Sequence, residues 1–298
     1  MRAHVLRNPA SQRGRSADSV SAHLATLSSA HQIVDLTGDD AETSAQALGQ
    51  AVEAGEIERL VIFGGDGLVN LAIQKIAHRD IETMIIPVGS GNDFATALGL
   101  IDSLEASWPS ASPVDLLRVE ALAPETEDSA IGPHWVASIA IAGFPAAINA
   151  RANSIKFNLG AQVYTAATVL ELPRFKRLTL DVSIDGERLD LDSAMIAVGN
   201  TRFFGGGMLA CPEASHDDGL LHVTSIEGVG RVRLLRHIAG RAGGTDHRPE
   251  VLRRTGKRFE IHDEGVELWG DGEFIAMSPL SIEIDPGAIQ VALSPTIG

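Results

Sequence analysis

The sequence VIFGGDGLVN, residues 61–70, decides how the first part of this chain folds. The apolar run 60–63 predicts a buried parallel strand, and the glycines that follow predict a tight turn. Apolar residues then recur at helical spacing from Leu68 to Ile76. Backbone N–H groups at such a strand-to-helix turn favour phosphate, and Asp66 among them suggests a metal ion or a polarised water. The alternative is an ordinary turn in which Asp66 caps the helix.

The first third of the chain alternates strand and helix patterns, which predicts a doubly wound parallel sheet. In such a sheet, ligands bind beyond the carboxyl ends of the strands. Three of those ends carry polar loops rich in Gly or Pro, so we expect the loops to form one ligand site. The loops are residues 8–15, 64–67 and 87–93. A P-loop motif is absent and no G-x-G-x-x-G follows the first strand, so neither a P-loop nor a classical dinucleotide fold is predicted.

The element pattern also predicts bounds. Strands are expected at 4–6, 33–36, 60–63 and 84–88, and helices at 16–27, 43–54, 68–78 and 93–98. A linker is expected at 101–113. Beyond it, two-residue alternation predicts a mainly antiparallel β domain with a hairpin at Asp185-Gly186 and helices at 161–170 and 229–238. Residues 129–150 lack charged side chains but contain Pro133 and Pro145, so we expect loops around a buried strand rather than a membrane span.

We place a nucleotide-binding α/β domain at residues 1–112 and a β-rich substrate domain at 113–298. Whether the residues from about 286 onward return to the first domain is left open.

The charge balance limits the partners. The net charge is −15, which argues against non-specific nucleic-acid binding. Nine of the 24 Lys and Arg nevertheless lie between Arg231 and Arg258. The segment 229–238 mixes Arg with apolar residues, which indicates either a basic amphipathic surface for anionic lipid or an ordinary solvated helix face. The single cysteine, Cys211, excludes an internal disulfide and fits a reducing cytoplasm, where we expect an inert packed thiol. No secretory signal is evident.

Two loops of the second domain carry further candidates. One is GNTRFFGGG at residues 199–207, which leads into CPEASHDDGL at 211–220; the other is WGDGE at 269–273. An Asp-Gly pair among strands most often forms a turn. Because Glu273 follows Asp271 by two residues, we expect the two carboxylates on one face of an extended segment, where they would suit a metal or a general base.

Together these motifs resemble the diacylglycerol kinase catalytic-domain family of lipid kinases, which includes bacterial diacylglycerol kinases and eukaryotic sphingosine and ceramide kinases. The resemblance runs from about Leu6 to Phe274 and is strongest at residues 64–70, 87–94, 199–220 and 270–273. It implies an NAD-kinase-like α/β domain followed by an antiparallel β-sandwich domain, with ATP bound in the cleft between them.

The resemblance also implies roles for single residues. Asp271 matches the general base and Glu273 its acidic neighbour. A structural metal would be bound by Asp218 together with the backbone carbonyls of Ser215 and Leu220, unless that segment is only a surface turn. The nucleotide, its phosphates and the network around magnesium would be held by Asn8, Ser11, Arg13, Gly64, Gly65, Asp66, Gly67, Gly89, Ser90, Asn92 and Asp93.

Four positions depart from the family pattern. Leu68 stands where the family has Thr, Leu71 where it has Glu, Ser90 where it has Thr, and Ser138 where it has Asn. The first two remove polar groups near the nucleotide, and the last leaves the acceptor open.

The sequence therefore predicts a cytoplasmic, ATP- and Mg²⁺-dependent lipid kinase that associates reversibly with membranes and phosphorylates diacylglycerol or a related glycerolipid. A soluble NAD kinase and a catalytically degenerate nucleotide- or lipid-binding protein are the alternatives, and a homodimer is left open.

Overall fold

The computed structural model describes residues 2–7, 15–100, 108–122, 132–155, 162–234 and 250–293. The chain divides into two compact units, one formed by Met1–Leu116 with Pro286–Gly298 and the other by Leu117–Asp285. In the described ranges, no helix has the length and apolar character that crossing a bilayer requires.

The first unit contains a parallel sheet in which β1 pairs with both β2 and β3, and β3 pairs with β4. The alternation of strands and helices confirms the predicted doubly wound class. Every residue of β3 from Leu60 to Gly64 is buried, which explains its unbroken apolar sequence. The elements are β1 Arg2–Arg7, α1 Arg15–Ala30, β2 Gln32–Asp35, α2 Ala41–Glu53, β3 Arg59–Gly64, α3 Asp66–Ile76, β4 Glu82–Pro87 and α4 Asp93–Ala97.

The second unit is mainly antiparallel, as predicted. Its elements are β5 Ala111–Ala121, β6 His134–Val136, β7 Ile139–Gly143, α5 Phe144–Ser154, α6 Gln162–Glu171, β8 Leu178–Ile184, β9 Glu187–Gly199, β10 Phe203–Phe204, β11 Met208–Leu209, β12 Leu221–Glu227, β13 Val251–Gly256, β14 Arg258–Ile261, β15 Glu267–Gly270, β16 Glu273–Met277 and β17 Leu280–Ala292. The boundary between the units falls within β5 and β17. The part of β17 that belongs to the first unit pairs in parallel with β4, within the first unit's own sheet.

The predicted hairpin at Asp185-Gly186 is confirmed. Strands β8 and β9 pair in register from Leu178 opposite Ser193 to Ile184 opposite Glu187. Both turn residues have positive φ, +50° and +85°, as a two-residue hairpin turn requires.

Two expectations need correction, and a third is described only in part. Helix α5 occupies part of the region expected to be loops, because Pro145 lies in the first turn of a helix, where its missing N–H has no partner to lose. Strand β5 begins at Ala111, inside the expected linker, whose residues 101–107 lie outside the described ranges. Of the helix expected at 229–238, residues 231–234 are helical and residues 235–238 lie outside the described ranges; Leu234 is buried in the core of the second unit rather than on the basic surface.

Cys211 belongs to the same core. Burial raises the pKa of its thiol to about 12, so the side chain stays protonated at neutral pH. Its Sγ lies 3.2 Å from the carbonyl oxygen of His222. The residue is thus a packed, unreactive thiol, as expected.

Candidate functional site

The glycine turn at the end of β3 is the core of the candidate site in the first unit. Gly65 caps α3, which begins at Asp66, and the N–H groups of Leu68 and Val69 donate to the Gly65 carbonyl at 3.0 and 3.1 Å. The interpretation of Asp66 as the helix cap is therefore wrong. A Cβ atom on Gly64 would lie 2.7 Å from Cβ of Leu68, so only glycine fits there.

The loop that follows β4 packs directly against this turn. The N–H of Val88 donates to the carbonyl of Gly64 at 3.1 Å. A Cβ atom on Gly89 would lie 2.5 Å from Cα of Gly65, closer than any side chain allows. Two of the three loops that the sequence predicts to share a site are thus in backbone contact.

Asp66 joins the two loops through its side chain. Its Oδ1 accepts a hydrogen bond from the N–H of Phe94 at 3.2 Å. Asn92 folds back on its own loop, since its Oδ1 accepts from the N–H of Gly89 at 3.0 Å and its Nδ2 donates to that residue's carbonyl at 2.8 Å. The carboxylate of Asp93 is buried at the start of α4. The result is a surface of backbone amides and carboxylate oxygens built on glycine.

The remaining first-unit candidates differ in what can be said of them. Ser90 and Gly67 are exposed at the rim of the two loops. Asn8, Ser11 and Arg13 lie outside the described residues.

The second unit carries Asp271 in a two-residue turn between β15 and β16. Gly270 pairs with Glu273 across the turn, and Asp271 and Gly272 have φ of +49° and +90°. The expectation of an extended segment with both carboxylates on one face is wrong, because Asp-Gly adopts the left-handed conformation that closes a tight hairpin. Glu273 instead begins β16, with its side chain exposed.

The carboxylate of Asp271 is held by two backbone donors from a distant segment. Its Oδ2 accepts from the N–H of Ala137 at 2.7 Å, and its Oδ1 accepts from the N–H of Ser138 at 2.9 Å. Both donor residues are buried. The two backbone donors therefore hold the carboxylate of Asp271 in one orientation.

Asn200 holds the same segment from its other side. Its Nδ2 donates to the carbonyl of Ala137 at 2.9 Å, and its own N–H donates to the carbonyl of Ser138 at 2.9 Å. Asn200 is fully buried, with 0% of its surface exposed. The motif at residues 199–207 includes Asn200, but its pattern alone predicts no role for that side chain. Its position directly after β9, at the head of the triple-glycine loop, was the available signal.

The segment Ser215–Leu220 forms turns around Asp218. The Oδ1 of Asp218 accepts from the N–H of Leu220 at 2.9 Å, and its Oδ2 lies 2.9 Å from Nε2 of His222. Ser215 Oγ donates to Asp217 at 2.6 Å. Among the described residues, no three His, Cys, Asp or Glu side chains converge as metal ligands, so a metal here would depend on backbone oxygens. The contact with His222 was not anticipated from the sequence.

Comparison with known proteins gives concordant results. Residues 2–119 match the sequence model of the diacylglycerol kinase catalytic domain, and residues 138–293 match that of the YegS C-terminal NAD kinase beta sandwich-like domain. A diacylglycerol kinase of Mycobacterium tuberculosis (strain ATCC 25618 / H37Rv) is 32% identical over 96% of this chain and 93% of its own. A probable lipid kinase YegS-like of Xanthomonas axonopodis pv. citri is 35% identical over 87% and 86%.

The fold has solved counterparts as well. The crystal structure of a putative diacylglycerol kinase from Bacillus anthracis str. Sterne covers 99% of this chain and 98% of its own, with a TM-score of 0.78 and 17% identity. At that identity the likeness establishes a shared fold.

Proposed function

Because the chain belongs to the diacylglycerol kinase-like family of bacterial lipid kinases, we propose that it transfers the γ-phosphate of ATP to the hydroxyl of diacylglycerol or a related glycerolipid. The observation that carries this proposal is the contact between the two glycine loops around Asp66. Gly65 and Gly89 let the two loop backbones pack against each other, and backbone amides of such glycine loops at the start of a helix would bind a phosphate.

The donor would be bound in the first unit. The glycine loops present their N–H groups to the phosphates, and the expected contributions of Asn8, Ser11 and Arg13 belong to the same proposal. Ser90, at the exposed rim, offers a hydroxyl, and Asn92 fixes the shape of its loop. Phosphoryl transfer needs chiefly positioning and charge neutralisation, which such a surface supplies.

Magnesium fits the oxygen donors of this region. Asp66 and Asp93 offer carboxylate oxygens, which a small hard cation prefers. When bound, Mg²⁺ would supply positive charge that offsets the negative charge of the phosphates. Asp66 also ties the two loops together, so it would keep their amides in place whether or not the donor is bound.

The acceptor hydroxyl would meet Asp271. The bonds from Ala137 and Ser138 hold this carboxylate in one orientation, in which it would accept the hydrogen bond of a substrate hydroxyl. A carboxylate is a weak base towards an alcohol, so the proton should move late and the orientation of Asp271 should matter most. Glu273, exposed at the start of β16, would add negative charge beside the turn.

Two further elements complete the proposal. A structural metal at Asp218, with the carbonyls of Ser215 and Leu220, would stabilise the turns of that segment, and it would compete with His222 for the same carboxylate. Because the acceptor is a lipid, the protein would associate peripherally and reversibly with membranes in the cytoplasm.

One observation favours a catalytically degenerate binding protein as the second candidate. Leu68 fills the space beside Gly64 with an apolar side chain, at the position where the family resemblance implies a Thr hydroxyl. ATP binding without transfer to any acceptor would support that alternative.

The test is transfer of labelled γ-phosphate from MgATP to diacylglycerol, phosphatidylglycerol, ceramide and sphingoid bases in mixed micelles, with NAD as a soluble acceptor. Asp271→Asn is run beside Asp190→Asn, an exposed carboxylate of the same unit. We expect a labelled glycerolipid, with turnover at least about a hundredfold lower in Asp271→Asn alone. Labelled NAD, or no product despite ATP binding, contradicts the proposal.

A further inference from the structure

Helix α6 carries apolar residues on its outer face as well as its inner one. Ala167 is fully buried in the core of the second unit, whereas Val169 and Leu170 are 67% and 49% exposed and Tyr164 is also exposed. A surface helix of a globular protein normally presents polar residues to solvent. The outer face of α6 is therefore as apolar as a surface that binds another apolar surface.

The segment 231–234 extends this surface. The guanidinium of Arg231 donates to the carbonyl oxygen of Pro173, which follows α6, at 2.9 Å. The next residue, Val232, is 68% exposed, while Leu234 points into the core. Pro173 is exposed as well. This hydrogen bond brings the residue before Val232 to the end of α6, and the exposed apolar residues Val169, Leu170, Pro173 and Val232 are together named the α6 patch.

Cations border the α6 patch. Arg174, Lys176 and Arg177 follow it in the chain, and Arg231 and Arg233 flank Val232. The side chain of Arg174 is 67% exposed, whereas that of Glu171, which it approaches at 3.8 Å, is almost buried.

Carboxylates offset only part of this charge. Arg177 pairs with Asp192 at 2.8 Å, and Arg233 pairs with Glu250 at 2.6 Å. The five cations therefore outnumber the three carboxylates that contact them in the described part of the chain. A local positive excess on a chain of net charge −15 is complementary to an anionic surface.

The α6 patch belongs to the part of the unit that carries the proposed base. Helix α6 follows α5 and is tied to it by the ion pair between Arg151 and Glu171, at 2.6 Å. From α5, Asn153 donates to the carbonyl of Gly272 at 3.4 Å, one residue after Asp271. The helix pair thus connects the exposed apolar residues to the turn where the acceptor hydroxyl would react.

We propose that the α6 patch and its bordering cations dock this protein on an anionic lipid bilayer, with the apolar residues entering the interface and the cations facing the headgroups. Apolar side chains next to Lys and Arg are the combination that binds peripheral proteins at anionic interfaces. The inference rests on the proposed lipid kinase function, because the docked face leads to the turn that would bind the acceptor.

The test measures binding of the full chain to sedimenting vesicles of phosphatidylcholine alone and of phosphatidylcholine with an equal part of phosphatidylglycerol. Val169→Ser/Val232→Ser removes the apolar contact, and Met277→Ser, an exposed apolar residue on β16, is its control. Arg174→Gln removes a bordering charge, and Arg188→Gln, equally exposed on β9, is its control. Because all five substituted side chains are exposed, we expect thermal unfolding of the four variants to be unchanged.

We expect the wild type to prefer the anionic vesicles, and the double Ser variant to lower the partition coefficient at least about tenfold, given the apolar area it removes from the interface. Arg174→Gln should weaken binding at low salt and match the wild type at high salt, where the attraction is screened. The two control variants should bind like the wild type.

Three results would each overturn the proposal. The double Ser variant could bind vesicles like the wild type, Met277→Ser could lose as much vesicle binding as the double variant, or the wild type could form a concentration-dependent dimer that the double variant abolishes. The last result would make a second copy of the chain the occupant of the α6 patch. Activity separates this inference from the proposed function. Patch variants should still phosphorylate a short-chain, monomerically dispersed acceptor, whereas a chain that binds vesicles through the patch but phosphorylates neither acceptor would refute only the kinase assignment.

Discussion

Asp271→Asn should destabilise the second unit as well as stop transfer. The carboxylate accepts two bonds from buried backbone N–H groups, at 2.7 and 2.9 Å, and a hydrogen bond to a charged group contributes about 1.5–3 kcal/mol. Asparagine can accept only one of these two hydrogen bonds, as a neutral bond that contributes about 0.5–1.5 kcal/mol. Its NH₂ group then faces the other backbone donor, and no hydrogen bond forms there. Since Asp271 itself is only half-buried, we take the lower part of the resulting range, a loss of about 2–3 kcal/mol.

The turn itself should survive the substitution. Asparagine adopts positive φ as readily as aspartate and is common before glycine in tight hairpins. Glu273→Gln is the matched control, because that side chain is exposed and its change should stay within about 0.5 kcal/mol.

Urea unfolding gives the free energy. Trp269 lies in β15, beside the turn, in edge contact with Phe274 at 5.8 Å between ring centroids, so its fluorescence reports on this hairpin. Circular dichroism should be followed in parallel, since two units need not unfold in one transition. Turnover is then measured below the onset of unfolding of the variant.

Two results would refute this reasoning. If Asp271→Asn unfolds at the urea concentration of the wild type with the same slope, the two backbone donors contribute nothing measurable. If the folded variant retains near-normal turnover, Asp271 is not the base, whatever its effect on stability.

Three other variants test the rest of the structure. Gly89→Ala should destabilise the first unit by about 1–3 kcal/mol and weaken ATP binding, because its Cβ would meet the backbone of Gly65 at 2.5 Å. Gly67→Ala is the control: a Cβ there has open space, so the free energy of unfolding should stay unchanged or rise by up to about 1 kcal/mol. Burial, with the charge of a nearby arginine, lowers the pKa of His4 below its usual 6.5. As the pH falls, the unfolded chain therefore takes up a proton before the folded chain does, and the stability of the fold should decrease below about pH 6.5. Calorimetry should show a smaller decrease in the His4→Gln variant, and the same pH dependence in variant and wild type would count against this. Asn200→Ala removes the side-chain bond that holds the segment behind the proposed base, so kcat should fall more than KM changes; a change confined to KM would exclude a positioning role.

Local chemistry accounts for what the sequence predicted well. The four parallel strands of the first unit follow from short apolar runs ended by turn residues, and the hairpin at Asp185-Gly186 follows from the one dipeptide that closes two strands with little strain. Helix α5 was missed for a local reason too, since Pro145 counts as a breaker everywhere except in the first turn of a helix.

The sites were predictable in part. The glycine loops were recognisable because a missing side chain is visible in the sequence, yet the 2.5 Å constraint between Gly89 and Gly65 comes from two strands lying side by side. The two-residue spacing of Asp271 and Glu273 predicted a shared face and failed, because that rule holds for extended backbone and not for left-handed turn residues.

By itself the sequence determined the class of fold, the order of the elements and the glycine turn on which the nucleotide proposal rests, because these depend on periodicity and on backbone freedom within a few residues. Only the tertiary structure decided that Asp271 is oriented by backbone groups 134 and 133 residues earlier in the chain, that Asn200 fixes those groups, and that Leu234 faces the core while Val232 faces outward. Contacts across such separations depend on how strands pair and helices pack, and local sequence patterns do not specify them.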